Sequence, residues 1–237
     1  MDVIELLPRL HLLRFPVGQA YLWADDDDEL TLVDAGPLGS GRAIAGAVTA
    51  LGRAPSDVRR IVLTHFHTDH AGGAGEFAAL SGAEVLAHHL DAPFVRGELD
   101  GPPPRLADWE VPIQAAVAEL LPVGTPVPPA AVTELSDGDV LDFGGGARVL
   151  HVPGHTDGSV ALFLPGEGVL FTGDTVAASP ADGTVMPGVF NLDRYRLRTS
   201  LERLAALGAE VACFGHGDPV VGGAAAALRT AAATAAP

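Results

Sequence analysis

The chain has 237 residues, of which 48% are hydrophobic and 19% charged, a globular composition that excludes intrinsic disorder. Acidic residues outnumber basic ones by 30 to 14, and a net charge of −16 repels phosphate backbones, so we expect no nucleic-acid partner. The sequence contains no Lys, which excludes a Schiff-base or P-loop lysine. The single Cys, Cys213, excludes an intrachain disulfide and a Cys-rich zinc site.

The N-terminal segment lacks the basic start and the uninterrupted apolar core of a signal peptide. No apolar run reaches the ~18 residues of a membrane-spanning helix without Gly, Pro or charge. We therefore expect a cytoplasmic protein with no membrane partner. The pattern of residues leaves the oligomeric state open.

In the first half of the chain, short apolar runs alternate with Ala-rich segments of helical spacing, which predicts an α/β architecture. The predicted strands are Ala20–Trp23, Leu30–Val33, Arg59–Leu63 and Glu84–Ala87. The predicted helices are Arg42–Leu51 and Ala74–Leu80. The acidic run Ala24–Glu29 is interpreted as a solvated hairpin turn, because it lacks the alternating ligands and the Gly of an EF-hand.

A Pro-rich insertion at about 94–129 follows, with one helix predicted at Ile113–Leu121. Such a stretch in a compact domain is more often a functional loop than a spacer, so we expect it to cover a site. Beyond it, short punctuated runs predict strands again. These strands are Val140–Phe143, Arg148–Val152, Ser159–Leu164, Gly168–Phe171 and Glu210–Phe214. Helices are predicted at Leu192–Leu207 and Ala224–Ala235, and the whole chain, 1–237, is predicted to be one domain.

A cluster of ligand-type side chains follows the strand that ends at Leu63. The segment His65–His70 reads HFHTDH, so it holds three of the nine His residues and one Asp within six positions. Imidazole is a common metal ligand, and Asp adds an oxygen donor. A solvated polar loop is the ordinary alternative, but it does not account for this local density of His. The block therefore predicts a metal site.

Three more candidate ligands lie just after other predicted strands. They are His155 in Pro-Gly-His-Thr, Asp174 in Thr-Gly-Asp-Thr and His216 in Gly-His-Gly-Asp. Each has a neighbouring Gly, which lets the backbone approach a crowded centre. Taken singly, each could equally be an ordinary polar loop residue or a metal ligand. Their repetition at the ends of several strands favours metal ligands. By contrast, we interpret His88, His89, His151 and His11 as non-ligands, and Cys213 as an inert core thiol.

These motifs resemble the metallo-β-lactamase superfamily over roughly Asp34 to Asp218. The resemblance implies an αββα sandwich of two mixed β-sheets flanked by helices. It also implies a first metal on His65, His67 and His155, and a second on Asp69, His70 and His216. Asp174 would bridge the two ions, and Asp34, in Val-Asp-Ala-Gly, would support the ligands without binding metal.

The chemistry implied by this ligand set is hydrolysis. Two divalent ions lower the pKa of a bridging water, and the resulting hydroxide attacks an electrophilic carbon or phosphorus. Asp69 would be the catalytic residue, since it both binds metal and orients that hydroxide. Zinc suits His and Asp best, while iron and manganese also fit.

The expected small-molecule substrate is an ester, lactone or thioester. True β-lactamases of the superfamily usually carry Cys or Ser where Asp174 stands, and the nuclease branches carry basic surfaces that this chain lacks. Substrate contacts are predicted at Tyr195, Phe190, Met186 and Trp109, although each has an ordinary structural explanation. For Tyr195 and its neighbouring Arg residues, that explanation is a helix start.

Two rival functions stay open. Sulfur dioxygenases of the same fold use one iron on positions matching His65, His155 and Asp174, so an oxidoreductase is the first alternative. A non-catalytic metal-binding protein that has kept the fold is the second.

Overall fold

The computed structural model describes residues 1–25 and 28–234. The chain divides into two compact units. The first unit comprises Met1–Gly101 and Ala116–Leu135, and the second comprises Pro102–Ala115 and Ser136–Pro237. One domain over 1–237 stays a prediction. Among the described residues, no helix is long and apolar enough to cross a membrane.

The first unit is built on a seven-stranded sheet whose strands follow chain order. The strands are β1 (Asp2–Leu7), β2 (Leu10–Arg14), β3 (Gln19–Ala24), β4 (Leu30–Val33), β5 (Val58–Val62), β6 (Glu84–His88) and β7 (Thr133–Leu135). Strands β1 to β4 are antiparallel, whereas β4 to β7 are parallel, so the sheet is mixed. Antiparallel pairing of β3 with β4 confirms the predicted hairpin, of which Asp26 and Asp27 lie outside the described residues.

Short helices cover one face of this sheet. They are α1 (Gly41–Ala50), α2 (Thr68–Ala71), α3 (Ala74–Ser81) and α4 (Ala92–Val95). Ile44 of α1 and Phe77 of α3 are completely buried and join one apolar cluster with Leu32 and Ile61 of the central strands. Burying such side chains contributes about 1.5–3 kcal/mol each. The predicted helices at Arg42–Leu51 and Ala74–Leu80 are confirmed, and α2 and α4 are one-turn helices too short to show a periodicity.

The insertion contains one further helix, α5 (Val111–Leu120), close to its predicted position. It runs from residues of the second unit into residues of the first, and none of its residues is buried.

The second unit contains a six-stranded mixed sheet. Its strands, in the order in which they lie in the sheet, are β15 (Val220–Val221), β14 (Val211–Phe214), β11 (Val169–Gly173), β10 (Val160–Leu164), β9 (Ala147–His151) and β8 (Val140–Leu141). Helices α6 (Arg194–Ala205) and α7 (Ala224–Thr234) pack against each other and bury Leu201, Leu204 and Leu228 with the apolar residues of the sheet. Asp193 caps α6, since its carboxylate accepts the N–H groups of Tyr195 and Arg196.

One stretch of the second unit forms strands that the sequence analysis did not predict. It is a hairpin of β12 (Val176–Ala178) and β13 (Val185–Pro187). The turn is closed at Gly183 (φ 74°), and Asp182 accepts the N–H of Thr184 at 3.0 Å. Strands of three residues offer too few positions to display the two-residue alternation that identifies a strand.

Replacing Gly154 by Ala is expected to destabilise the protein more than replacing Gly208 by Ala. Both have positive φ, 139° and 72°, so either substitution introduces backbone strain of about 1 kcal/mol or more. A Cβ at Gly154 would in addition overlap the backbone of Leu197 in α6, whereas a Cβ at Gly208 meets nothing within 4 Å. We expect a further loss of ~1–3 kcal/mol in the free energy of unfolding for Gly154→Ala, measured by urea denaturation. Equal losses for the two variants would contradict this packing.

Candidate metal centre

In the first unit, strand direction explains why ligand-type side chains lie together. Strands β4, β5 and β6 are parallel neighbours, so their carboxyl ends meet at one edge of the sheet. Asp34 directly follows β4, the HFHTDH block lies just beyond β5, and Asp91 lies three residues beyond β6. This edge therefore collects most of the unit's candidate ligands.

The three imidazoles of the block are close to one another. The ring of His65 lies 4.8 Å from that of His67 and 4.2 Å from that of His70, centroid to centroid. His70 Nε2 lies 3.5 Å from Asp69 Oδ2. Potential ligand atoms of His65 lie within 4.8 Å of those of His67 and His70. The block thus brings its four predicted ligands into one small volume.

Asp34 fixes two of these imidazoles in one tautomer. Its carboxylate accepts the Thr64 N–H at 2.7 Å, the Thr64 hydroxyl at 2.9 Å and His70 Nδ1–H at 2.9 Å. Because the Thr64 hydroxyl gives its one proton to Asp34, it accepts from His65 Nδ1–H, 3.0 Å away. In the neutral rings of His65 and His70, the lone pair is therefore on Nε2, which leaves that nitrogen available as a metal ligand.

The backbone of Asp34 is itself in an unfavourable conformation. Its φ is 60°, in the left-handed region that non-Gly residues occupy at a cost of about 1–3 kcal/mol. Three hydrogen bonds to its carboxylate and one from its N–H to the Val62 carbonyl, at 3.0 Å, hold it there. These bonds offset the cost of the left-handed backbone at Asp34.

Asp91 is a supporting residue that the sequence analysis missed. Its side chain is buried, and Oδ2 accepts the N–H of Phe66, between His65 and His67, at 3.1 Å. The Phe66 ring packs on Phe94 with centroids 4.6 Å apart. Asp91 thereby fixes the backbone between two candidate ligands. An acid soon after β6, as Asp34 follows β4, was the available signal.

The second unit gathers its candidate ligands by the same logic. Strands β9, β11 and β14 run in the same direction, and His155, Asp174 and His216 follow their carboxyl ends. Asp174 Oδ2 lies 3.6 Å from His155 Nε2 and 3.2 Å from His216 Nε2. His155 is almost completely buried, whereas about a third of the His216 side chain is exposed. The unit thus brings its three predicted ligands together.

His155 is also held in a single tautomer. Its Nδ1 lies 3.1 Å from the carbonyl oxygen of Val189 and 3.2 Å from Asn191 Oδ1. The Asn191 amide nitrogen donates to the Gly188 carbonyl at 2.7 Å, which identifies Oδ1 as the atom facing His155. Both neighbours of Nδ1 are acceptors, so Nδ1 carries the proton and Nε2 faces Asp174. Asn191 was not predicted, and no sequence pattern singles it out.

The donor set in each unit fits a cation. A neutral His155 ring presents a lone pair toward the Asp174 carboxylate, and a neutral His70 ring does the same toward Asp69. Two acceptor atoms that face each other at 3.5–3.6 Å are brought into attraction by a positive ion bound to both. Imidazole nitrogen together with carboxylate oxygen is a donor set typical of zinc, iron and manganese sites.

The four predicted substrate contacts all belong to the second unit. Tyr195, in the first turn of α6, is 71% exposed, and Trp109 is 55% exposed. Met186 lies on β13 and is half-buried, as is Phe190, which has a φ of 60°. Their role in substrate binding stays a prediction.

The arginines around Tyr195 are engaged with acids. Arg194 pairs with Glu110, Arg196 pairs with Asp157, and Arg198 lies 3.8 Å from Glu202. This agrees with the interpretation of the segment as a helix start. Glu110, in the insertion, is a buried carboxylate that the sequence analysis did not identify.

A cleft of about 340 Å³ opens in the second unit close to the backbone of His155, and none of the candidate metal ligands lines it. Its lining residues are Pro102, Pro103, Arg105, Asp157, Leu192, Asp193 and Arg196. The N–H of Leu192 donates to the His155 carbonyl at 3.2 Å, and that of Asp193 to the Gly154 carbonyl at 2.8 Å, which places this wall next to a candidate ligand. Three residues of the Pro-rich insertion thus line a cavity, whereas the expectation that the insertion covers a functional site stays a prediction.

Cys213 is buried in β14, as predicted, and its burial raises the pKa of its thiol. A neutral buried thiol is a poor nucleophile, so Cys213 acts as a core residue.

The family model described as the metallo-beta-lactamase superfamily matches residues 14–216, which is most of the chain. The chain belongs to the metallo-β-lactamase superfamily. It is 27% identical to the probable metallo-hydrolase YqjP of Bacillus subtilis over 87% of this chain and 69% of that protein. It is 30% identical to the probable metallo-hydrolase YflN of the same organism over 92% of this chain and 87% of that protein.

Solved structures of metallo-β-lactamases share the fold. A metallo-β-lactamase family protein from Thermus thermophilus superposes with a TM-score of 0.68 at 31% identity, covering 97% of this chain and 78% of that one. The metallo-β-lactamase SMB-1, in a complex with mercaptoacetic acid, gives a TM-score of 0.73 at 20% identity, covering 99% and 94%. The predicted fold class, the metallo-β-lactamase fold with two mixed sheets and flanking helices, is confirmed.

Hydrolases also occur among the relatives outside Bacillus. The hydroxyacylglutathione hydrolase of Maricaulis maris is 31% identical over 63% of this chain, and the match covers 44% of that enzyme. Together with the family assignment, these relatives support a metal-dependent hydrolase.

Replacing Asp34 by Asn is expected to weaken metal binding and lower stability. An amide has one accepting oxygen for the three donors that Asp34 serves, and its NH₂ group would face a donor. We expect zinc affinity to fall about 10–100-fold, measured by competition with a chromophoric chelator. The free energy of unfolding should fall by ~1–3 kcal/mol. The exposed Asp2→Asn is the matched control, and unchanged zinc affinity in Asp34→Asn would contradict the supporting role.

Proposed function

We propose that the protein is a dinuclear metal-dependent hydrolase acting on a small ester, lactone or thioester. The observation that carries this proposal is the orientation of the candidate ligands. His65, His70 and His155 each have Nδ1–H held by an acceptor, which leaves Nε2 for a metal. A purely structural histidine does not need one particular nitrogen kept available.

The proposed ligands follow the superfamily pattern residue by residue. The first ion is assigned to His65, His67 and His155, and the second to Asp69, His70 and His216, with Asp174 between them. We expect zinc, since nitrogen and carboxylate donors suit it, and iron or manganese as substitutes. Bound divalent ions supply Lewis-acid stabilisation of a developing oxyanion and lower the pKa of coordinated water.

Asp69 is the proposed catalytic residue among these side chains. Its carboxylate is about 15% exposed, so it reaches the site while remaining held by the protein. A Cβ at Gly18 would overlap the Asp69 carbonyl oxygen. Only Gly at position 18 therefore allows the backbone of Asp69 to pack this closely against it. Asp69 accepts a hydrogen bond from the attacking water and thereby directs its lone pair toward the substrate carbon.

The acyl substrate class has two supports. Asp174 stands where β-lactamases of the superfamily usually carry Cys or Ser, and several relatives are named hydroxyacylglutathione hydrolases. The cleft beside His155, about 340 Å³, has the volume of a small-molecule site. Of the cations that line it, Arg196 is paired with Asp157, so Arg105 is the proposed contact for a substrate carboxylate.

The proposal predicts about two zinc-type ions per chain in protein purified without chelator or added metal. The loaded protein should hydrolyse members of a panel of esters, lactones and thioesters. Asp69→Ala should lower kcat/KM for the best substrate by about 10²–10⁴-fold, while the exposed Asp108→Ala leaves it unchanged.

Three outcomes would overturn the proposal. Unchanged turnover in Asp69→Ala would exclude the catalytic role given above. Turnover of phosphodiesters without any acyl substrate would exclude the substrate class. One iron per chain, with oxygen consumption in the presence of a persulfide, would identify a sulfur dioxygenase instead.

A further inference from the structure

Glu110 is a buried carboxylate in an otherwise exposed stretch of the insertion. Its side chain is 1% exposed, while Asp108, Trp109 and Val111 around it are exposed. Glu110 Oε2 accepts the N–H of Ala107 at 2.7 Å and pairs with Arg194, and Oε1 accepts the N–H of Phe190 at 3.1 Å. An ionised carboxylate is buried only where such donors replace its water.

These contacts connect Glu110 to residues distant in the sequence. Phe190 is 80 positions away and Arg194 is 84 positions away. A second bond ties the same segments together, since the N–H of Arg105 donates to the Asn191 carbonyl at 2.9 Å. Two residues of the insertion, Arg105 and Glu110, are therefore hydrogen-bonded to the segment 190–194.

Residues 188–191 form the surroundings of two candidate ligands. The Val189 carbonyl and Asn191 Oδ1 are the acceptors that hold His155 Nδ1–H. A Cβ at Gly188 would overlap the Asp174 carbonyl, so this short loop lies directly against that residue too. Any shift of the loop changes what His155 Nδ1 can bind.

The loop is held in a conformation that its sequence does not favour. Phe190 has a φ of 60°, a left-handed conformation that costs a non-Gly residue about 1–3 kcal/mol. The bond from the Phe190 N–H to Glu110 is made in that conformation. Since Val189 and Asn191 flank Phe190, the bond that stabilises residue 190 also fixes both acceptors of His155.

We propose that Glu110 is a positioning residue for His155, acting through the Phe190 backbone. By holding residues 189–191, it keeps His155 in the Nδ1–H tautomer and so keeps Nε2 available. The consequence for metal affinity rests on the proposed function, whereas the tautomer is a property of the metal-free protein.

The decisive measurement is the tautomer of His155 in the metal-free protein. Long-range ¹H–¹⁵N spectra at about pH 8, above the ordinary His pKa of ~6.5, distinguish the two neutral tautomers. The resonances of His155 are assigned from a His155→Gln variant. We expect Nδ1–H in the wild type and a mixture with Nε2–H in Glu110→Gln. The matched control is Glu119→Gln, an exposed glutamate of α5.

A second substitution separates positioning from general loosening. Phe190→Gly removes the steric cost of positive φ, so the loop no longer depends on Glu110 to the same extent. The double variant Glu110→Gln/Phe190→Gly should therefore recover the Nδ1–H tautomer in part.

If Glu110→Gln does not fold, Glu110→Asp keeps the charge for Arg194 but is one methylene too short to hold Phe190. We therefore expect Glu110→Asp to show the mixture of His155 Nδ1–H and Nε2–H tautomers predicted for Glu110→Gln.

Zinc titration supplies the second readout. Glu110→Gln should raise the dissociation constant of zinc about 10–100-fold, with partial recovery in the double variant. A folded Glu110→Gln with an unchanged His155 tautomer would overturn the positioning role. A wild-type protein that binds no zinc would defeat the proposed function, while the tautomer comparison would still decide the role of Glu110.

Discussion

Backbone N–H groups in the ligand-bearing loops need acceptors, because these loops have left the hydrogen-bond ladders of the sheets. Three buried carboxylates meet this need. Asp34 accepts from Thr64, Asp91 from Phe66 and Glu110 from Phe190. Carboxylates are used where a neutral acceptor would satisfy the N–H because charge-assisted bonds are roughly twice as strong. Each of these three acids thus holds a loop that carries or adjoins a candidate ligand.

The burial of these acids has a physical cost that limits where they occur. Each carboxylate loses its hydrogen bonds to water on burial, and at least one backbone N–H donor replaces them. Asp34 and Glu110 also engage a second partner that matters to the site: His70 for Asp34, and Arg194 at the start of α6 for Glu110. In addition, Asp34 and Phe190 keep backbone conformations that non-Gly residues rarely adopt. Strain and buried charge therefore occur together at the loops that carry chemistry and are offset by the same bonds.

Sequence reasoning succeeded where a local pattern reports directly on structure. The short apolar runs predicted β3, β4, β5, β6, β9, β10, β11 and β14, and the positions of His155, Asp174 and His216 just after strands followed from them. It failed for short elements such as β12 and β13, which are too brief to show a period. It also missed Asp91, Glu110 and Asn191, whose roles depend on contacts between residues up to 84 positions apart. In the sequence, a single acid in a Pro-rich segment, such as Glu110, is indistinguishable from a solvated side chain. Its donors, the Phe190 N–H and Arg194, become its neighbours only in the folded protein.

The left-handed backbone of Phe190 has a consequence for how the superfamily can vary. Gly takes a positive φ without steric cost, so we expect a relative with Gly at the position of Phe190 to form the same turn without needing a buried acid at the position of Glu110. A relative with a side chain at that position should keep the acid. The proposed role of Glu110 therefore makes positions 110 and 190 a pair that should change together.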